Sequence, residues 1–238
     1  RALAYHVAAS LDLARRHPDE AVRRDRRRQI DLLTPVIKAW CTDTAIEVAN
    51  TGIQVHGGMG YIEETGAAQH LRDAPIAAIY EGTNGIQALD LVGRKVARDK
   101  GAAATAFIAT VGALGRQCGN AGGDDLTVIA RRLLTGVEAL GKATDWLVET
   151  YPRDPRAVAA GAVHYLRLFG IVAGGWLMAR AALRATAKLV GGDDAEYLRG
   201  KVITARFFAD QYLLQAEMLA TLFTEGLSSV QAASNRHL

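Results

Sequence analysis

The sequence has little cysteine: Cys41 and Cys118 stand alone and far apart. That excludes a disulfide framework and a cysteine-based metal site, and it fits a reducing compartment. The six histidines, His6, His17, His56, His70, His164 and His237, show none of the paired spacings with carboxylates or cysteines that zinc demands. Neither a nucleophilic triad nor a P-loop is present. Long uninterrupted apolar runs are also missing. The best stretch, YLRLFGIVAGGWLMARAALRA at 165–185, is broken by Arg167, Arg180 and Arg184. It falls short of the ~20 apolar residues of a spanning helix and reads as a buried one. No segment alternates with period two, which excludes a sheet protein. No signal peptide opens the chain. RALAYHVAASLDLARR begins without Met and is already amphipathic, so the chain is expected to be a piece of something longer.

What is present is a 238-residue chain that is 50% hydrophobic and 22% charged, rich in alanine and glycine. That is the composition of a globular protein, long enough for one large domain or two small ones. A net charge of +3 and a pI near 9.0 leave room for an anionic ligand without selecting one. The run RRDRRR at 23–28 could touch nucleic acid, a phosphate-bearing cofactor or another subunit; the plainer reading is a solvated helix face.

The apolar periodicity is helical throughout. Leu3, Val7, Leu11 and Ala14 line one helix, which stops at HPDE. Ile30, Leu33, Ile37, Trp40, Thr44, Val48 and Ile53 line a longer one that is kinked at Pro35 and ended by HGGMG at 56–60. Thr65 is expected to cap a short helix closed by Pro75, leaving IAAIYEG as an apolar connection. Thr83 or Asn84 caps the next helix, with Ile86, Leu89 and Val92 or Gly93 on a common face. Four helices follow, beginning at or near Ala104, after Asp124 or Asp125, at Pro155, and after Gly191, Gly192 and Asp193; the last is expected to run unbroken through 194–226. Trp40, Trp146 and Trp176 sit among aliphatics, so packing is the default for each. The fold class is all-α, built as antiparallel helical bundles. The expected domains are 1–100 and a helical extension over 101–238.

Two loops carry the chemistry. QVHGGMGY (54–61) ends the long helix and YEGTNG (80–85) opens another, and glycines with a helix start bare amides that suit phosphate or carbonyl oxygens. Together they could frame a nucleotide and a reacting group; equally, they could be a helix stop and a capping turn. Glu81 lies between Tyr80 and Gly82. On an apolar wall its charged form would be disfavoured and its pKa raised, as a general base requires; in solvent it is simply a first-turn glutamate. Gln54 and His56 could hydrogen-bond a cofactor. Arg72 and Asp73 read as a structural pair near a helix end.

The stretch AIEVANTGIQVHGGMGYIEETGAAQHLRDAPIAAIYEGTNGIQALDLVGRKV (45–96) resembles the C-terminal catalytic region of the acyl-CoA dehydrogenase family. A Gln-x-x-Gly-Gly-x-Gly segment, an Arg-Asp-Ala-x-Ile segment and a Tyr-Glu-Gly-Thr-x-x-Ile-Gln segment carry the resemblance in order. It implies that Glu81 removes the α-proton of an acyl-CoA thioester while the β-hydrogen leaves as hydride to FAD. Tyr80 and Gly82 would line the acyl path, with the Glu81 amide on the carbonyl. Thr83 and Gly85 would approach FAD of their own subunit, and Gln54, Gly57 and Gly58 the FAD of a neighbour. The resemblance implies a homodimer or homotetramer, an electron-transferring flavoprotein as acceptor and, in a bacterium, the cytoplasm.

Two features depart from the family pattern. Its N-terminal helical domain, its β-domain and the start of its C-terminal bundle are absent, so this chain alone is expected to be inactive. Ala88 stands where many relatives have arginine, and roughly 130 further residues follow, enough for a packed unit. This addition is similar to that of a bacterial subgroup including 3-methylmercaptopropionyl-CoA dehydrogenases and some fatty acyl-CoA dehydrogenases. Packing or a subunit interface is its expected role. The reading from another class is a non-catalytic helical interaction or nucleic-acid-binding module on the same scaffold; a flavin oxidase is a second enzymatic one.

Overall fold

The computed structural model describes residues 1–189 and 194–226, together with 230 and 232. Among these residues there is no strand; the chain is all-α. The first helix, α1 (Ala2–Arg16), folds back through a tight turn onto α2 (Glu20–His56), which Asp19 caps by accepting the Ala21 amide at 2.8 Å. Its buried stripe is Leu3, Ser10 and Ala14 with Val7 half-buried, while Leu11 faces solvent. Helix α2 runs through Pro35 without a break in its 37 residues. Its first half is buried through Leu32, Leu33, Val36 and Ala39. Its second half projects outward, with Val48 exposed.

The projecting half forms an arm with α3 (Gly58–Tyr61), a 3-10 turn (Glu63–Thr65) and α4 (Ala67–Ile79). The caps here differ from those expected of Thr65 and Pro75. Gly66, with φ 72°, caps α4, and the Thr65 hydroxyl instead donates to the Met59 carbonyl at 2.7 Å. Pro75 does not close the helix, which continues to Ile79 and turns most of IAAIYEG into helix. A single missing amide is tolerated because the rest of α4 packs along α2.

Thr83 caps α5 (Asn84–Leu89), which passes into a π-helical segment (Asp90–Ala97). The buried stripe of this pair is Ala88, Leu91, Val92 and Val96, whereas Ile86 and Leu89 are exposed. Of the expected face, Val92 meets the core, but Ile86 and Leu89 do not and are left on the side of Glu81. Then come α6 (Ala102–Ala121), α7 (Asp124–Thr150) and α8 (Pro155–Leu189). Pro155 opens α8 as expected. Asp124 and Asp125 lie inside the first turn of α7 and not before it, where they complement the helix dipole. The separator at Gly191, Gly192 and Asp193 lies outside the described residues.

The final segment is not one helix. A 3-10 turn (Leu213–Gln215) separates α9 (Ala195–Gln211) from α10 (Ala216–Thr224). The break sets Leu213, 2% exposed, into a notch formed by Gly136 and Gly175. By length and composition α8 could cross a membrane, yet 67% of its most apolar window is buried inside the protein. It is the central rod against which α2, α7, α9 and α10 pack. Gly170 and Gly174 admit the Trp40 ring so closely that an added Cβ would meet its atoms at 2.5 and 2.7 Å. Through this contact and the Phe107, Phe169 and Trp176 cluster, one hydrophobic core joins residues from Leu3 to Phe223.

Candidate active site

Tyr80 to Thr83 connect α4 to α5 and carry Glu81 at φ 55° followed by Gly82 at φ 86°. Left-handed backbone is unfavourable for a glutamate, by about 1–3 kcal/mol, and persists where neighbours determine it. The determinants here are on α2. Lys38 Nζ donates to the Gly82 carbonyl at 2.6 Å and to Asn84 Oδ1 at 2.8 Å. Asn84 Nδ2 donates in turn to Thr42 Oγ1 at 2.9 Å, Asp43 Oδ1 at 2.6 Å and the Ala39 carbonyl at 3.2 Å. From the other side Gln87 Nε2 donates to the Glu81 carbonyl at 3.2 Å.

Held this way, the amides of Glu81, Gly82 and Thr83 make no hydrogen bond within the described residues. Three successive unpaired donors beside a carboxylate are open to a polarised carbonyl or an anion. Lys38, Thr42 and Asp43 had not been singled out in the sequence. Their signal was available only as three more polar residues on a helix that already carries many, and it named no partner 41 to 46 residues downstream.

Glu81 itself is exposed. The apolar residues that were expected to wall it in, Ile76, Ile79 and Tyr80, are exposed too, with Ile86 and Leu89 beside them. Desolvation of the carboxylate is therefore not supplied by this chain. The collar is apolar and uncovered.

The other loop lies elsewhere. Gln54, His56, Gly57 and Gly58 are exposed at the end of α2, and Gly57 turns the chain with φ 60°. The Lys38 to Asp43 stretch that holds Asn84 lies 11 or more residues earlier on the same helix, roughly 17 Å away at ~1.5 Å per residue. The two loops thus do not frame one pocket within a single chain. Gly57 and Gly58 have open space where a Cβ would sit, so their backbone is accessible to a large ligand; Thr83 and Gly85 are likewise exposed at the start of α5.

Other candidates resolve plainly. Arg72 pairs with Glu63 at 2.8 Å and not with Asp73, because successive helical residues point apart. In the basic run, Arg23 bonds to Glu20 and to the His17 and Pro18 carbonyls, Arg27 pairs with Glu20 at 3.4 Å, and Arg26 donates to Gln29. Much of that run is spent on the α1–α2 turn. Ala88, the expected departure from the family pattern, is 1% exposed and lines a cavity of about 580 Å³ between α2, α5 and α8.

Comparison with known proteins agrees with this layout. Residues 1–96 match the family model described as acyl-CoA dehydrogenase, C-terminal domain, and residues 102–234 the model described as acetyl-CoA dehydrogenase C-terminal like. The chain is 43% identical over 234 residues to 3-methylmercaptopropionyl-CoA dehydrogenase of Ruegeria pomeroyi, covering 98% of this chain and 40% of that protein. It is 32% identical over 190 residues to the broad-specificity linear acyl-CoA dehydrogenase FadE5 of Mycobacterium tuberculosis, covering 77% and 31%. Butyryl-CoA dehydrogenase of Syntrophomonas wolfei is 32% identical over 213 residues, covering 87% and 34%. The chain thus spans less than half the length of these relatives. An all-helical architecture, the anchored Tyr-Glu-Gly-Thr loop and family models over both segments lead to one conclusion: the chain belongs to the acyl-CoA dehydrogenase family, of which it carries the C-terminal region.

Proposed function

We propose that the chain is the C-terminal catalytic part of a flavin-dependent acyl-CoA dehydrogenase, an oxidoreductase that converts an acyl-CoA thioester to the trans-2-enoyl-CoA. The observation that carries this reading is the strained, anchored Glu81 with three unpaired amides beside it. In it, a Glu81 carboxylate oxygen takes the α-proton of the thioester. The Glu81 amide holds the thioester carbonyl as negative charge develops there. Tyr80 and Gly82 line the acyl path, Gly82 because its φ of 86° lets the chain turn away from the carboxylate. FAD, when bound, supplies the acceptor for the hydride that leaves the β-carbon.

Thr83 and Gly85 would meet FAD on the Glu81 side. Gln54, Gly57 and Gly58 would meet the FAD of another subunit, which the separation along α2 favours. On this reading the protein is a homodimer or homotetramer, passes electrons to an electron-transferring flavoprotein and works in the cytoplasm. Residues 101–238 form a helical extension whose role is packing against the first unit. The interaction-module reading is weakened because Arg23, Arg26 and Arg27 are engaged by neighbouring side chains and carbonyls.

The test is anaerobic bleaching of bound FAD in the full-length protein by a panel of acyl-CoA thioesters. Bleaching by at least one thioester that is lost in Glu81→Gln, with FAD retained, is the expected result. Bound flavin that no thioester bleaches would sink the reading.

A further inference from the structure

A cavity of about 500 Å³ that shares no lining residue with the Glu81 loop opens between α1, α2, α6 and α8, and residues from both family-model segments line it. Its floor is apolar: Leu32, Phe107 and Trp176 are 2%, 4% and 5% exposed. Its rim is cationic, with Arg26, Arg28 and Arg180. The polar groups here are under-used. His6 Nε2 and Arg26 Nε are buried without a hydrogen-bond partner, and no carboxylate pairs with Arg28 or Arg180 among the described residues. Arg180 instead lies over the Trp176 ring at 5.4 Å, and His6 meets the same ring edge-on at 4.8 Å.

Two carboxylates also line the cavity, and neither fills the need. Asp99 Oδ2 accepts the Ala103 amide at 2.9 Å, and Asp25 comes only within 3.9 Å of Arg26. Three guanidiniums against two carboxylates leave the lining positive with His6 neutral. Burial, then the charges of Arg180 and Arg26, hold the His6 pKa below the ordinary imidazole value. A side-chain hydrogen bond with Gln29 opposes that shift without reversing it. Buried polar atoms without a partner are rare in folded proteins and call for one.

We propose that this cavity binds a small organic anion, a carboxylate or phosphate head on an apolar or aromatic body. The head meets the arginines, for which guanidinium forks suit both chemistries, and the body lies on Trp176 and Phe107. The volume matches that of ordinary small-molecule sites, roughly 300–1,000 Å³. The site is separate from the one proposed for acyl-CoA, so it stands or falls independently of that function.

The experiment is calorimetric titration of the full-length protein with benzoate, octanoate, phenyl phosphate, inorganic phosphate and benzyl alcohol. Saturable binding of one organic anion per chain is expected, at least about tenfold tighter than inorganic phosphate or the uncharged alcohol. Benzoate or octanoate binding best names a carboxylate head; phenyl phosphate binding best names a phosphate head. The double variant Arg28→Gln/Arg180→Gln, at two exposed positions and with its urea midpoint measured alongside, should weaken binding by at least about tenfold. Arg24→Gln, on the same helix but outside the cavity, and Glu81→Gln should leave it unchanged. The proposal is overturned by absence of saturable binding at millimolar concentrations, by a double variant that binds like wild type, or by inorganic phosphate binding as tightly as the organic anions.

Discussion

Replacing Lys38 by methionine keeps the length of the side chain and removes both of its hydrogen bonds to the Glu81 loop. The lost bonds run from an ammonium at 2.6 and 2.8 Å, on a half-buried side chain. Bonds to charged groups contribute ~1.5–3 kcal/mol each when well shielded; partial exposure brings the pair to the order of 2 kcal/mol. Against this stands the ~1–3 kcal/mol by which Glu81 prefers to leave its left-handed backbone. With the anchor gone the two are comparable, and the population holding the loop in place falls by roughly 5- to 30-fold. In the full-length protein kcat/KM for the best acyl-CoA should fall by the same order, and urea unfolding should report a loss of about 1–2 kcal/mol. Lys38 touches no reacting atom in this account; it is a positioning residue. Two readouts separate that role from general destabilisation. Asn84→Ala should fail to add fully to Lys38→Met, since both cut one network, and bound FAD should persist in the variant. Turnover within about twofold of wild type, in a protein with the same urea midpoint, would refute the reasoning.

Gly170→Ala sets a methyl 2.5 Å from Trp40 Cγ; overpacking of ~1–3 kcal/mol outweighs the ~1 kcal/mol helix-propensity gain, and the thermal midpoint should drop. A midpoint at or above wild type would mean that α2 and α8 do not meet there. Thr144 and Tyr165 are 1% and 0% exposed and share a 2.8 Å hydrogen bond, so Thr144→Val should cost about 1–3 kcal/mol by stranding the phenol, while Thr144→Val/Tyr165→Phe should be milder by urea unfolding. Because the folded-state pKa of His6 lies below its ordinary 6.5, the unfolded chain binds more protons there; its contribution is present above pH 6.5 and is lost as pH falls through the folded value. Unfolding free energy measured against pH should therefore decline below about pH 6.5, and less steeply in His6→Gln.

The all-helical class was legible because period-3.6 apolar stripes and proline or aspartate signals recur without any competing alternation. The misreadings share one cause. Pro75 signals a helix end locally, but the packing of α4 along α2 outweighs one lost amide bond. Leu213 interrupts an otherwise continuous pattern only because Gly136 and Gly175, 77 and 38 positions away, leave a notch for it. Ile86 and Leu89 fitted a helical stripe with Val92 as well as Ala88 and Leu91 did; which stripe faces inward depends on the position of α8. At the site, Glu81 and its glycine could be read from the motif. Lys38, Thr42, Asp43 and the left-handed backbone could not, since each is defined by a contact across more than 40 residues.

The exposure of Glu81 bears on how the proposed base is activated. A carboxylate in water is too weak a base for a carbon acid, and the usual remedy is a low-dielectric wall that raises its pKa. The chain provides the material for that wall in Ile76, Ile79, Tyr80, Ile86 and Leu89, yet all five face solvent. A second uncovered group, Val48, Val55, Met59 and Tyr61, surrounds the other loop along the arm. Apolar surfaces gathered around two candidate half-sites are what a covering surface from the remainder of a longer protein, or from a second subunit, would bury. On the proposed function, closure of that cover and activation of Glu81 are then one event. The collar should be hydrated while the site is open and become dry when thioester and flavin are both in place. Leu89→Asp, which puts a charge in the collar without touching the Lys38 anchor, should accordingly depress turnover while leaving urea unfolding of the chain nearly unchanged, because Leu89 is 44% exposed. Equal losses in both measurements would show that the collar serves the fold and not the chemistry.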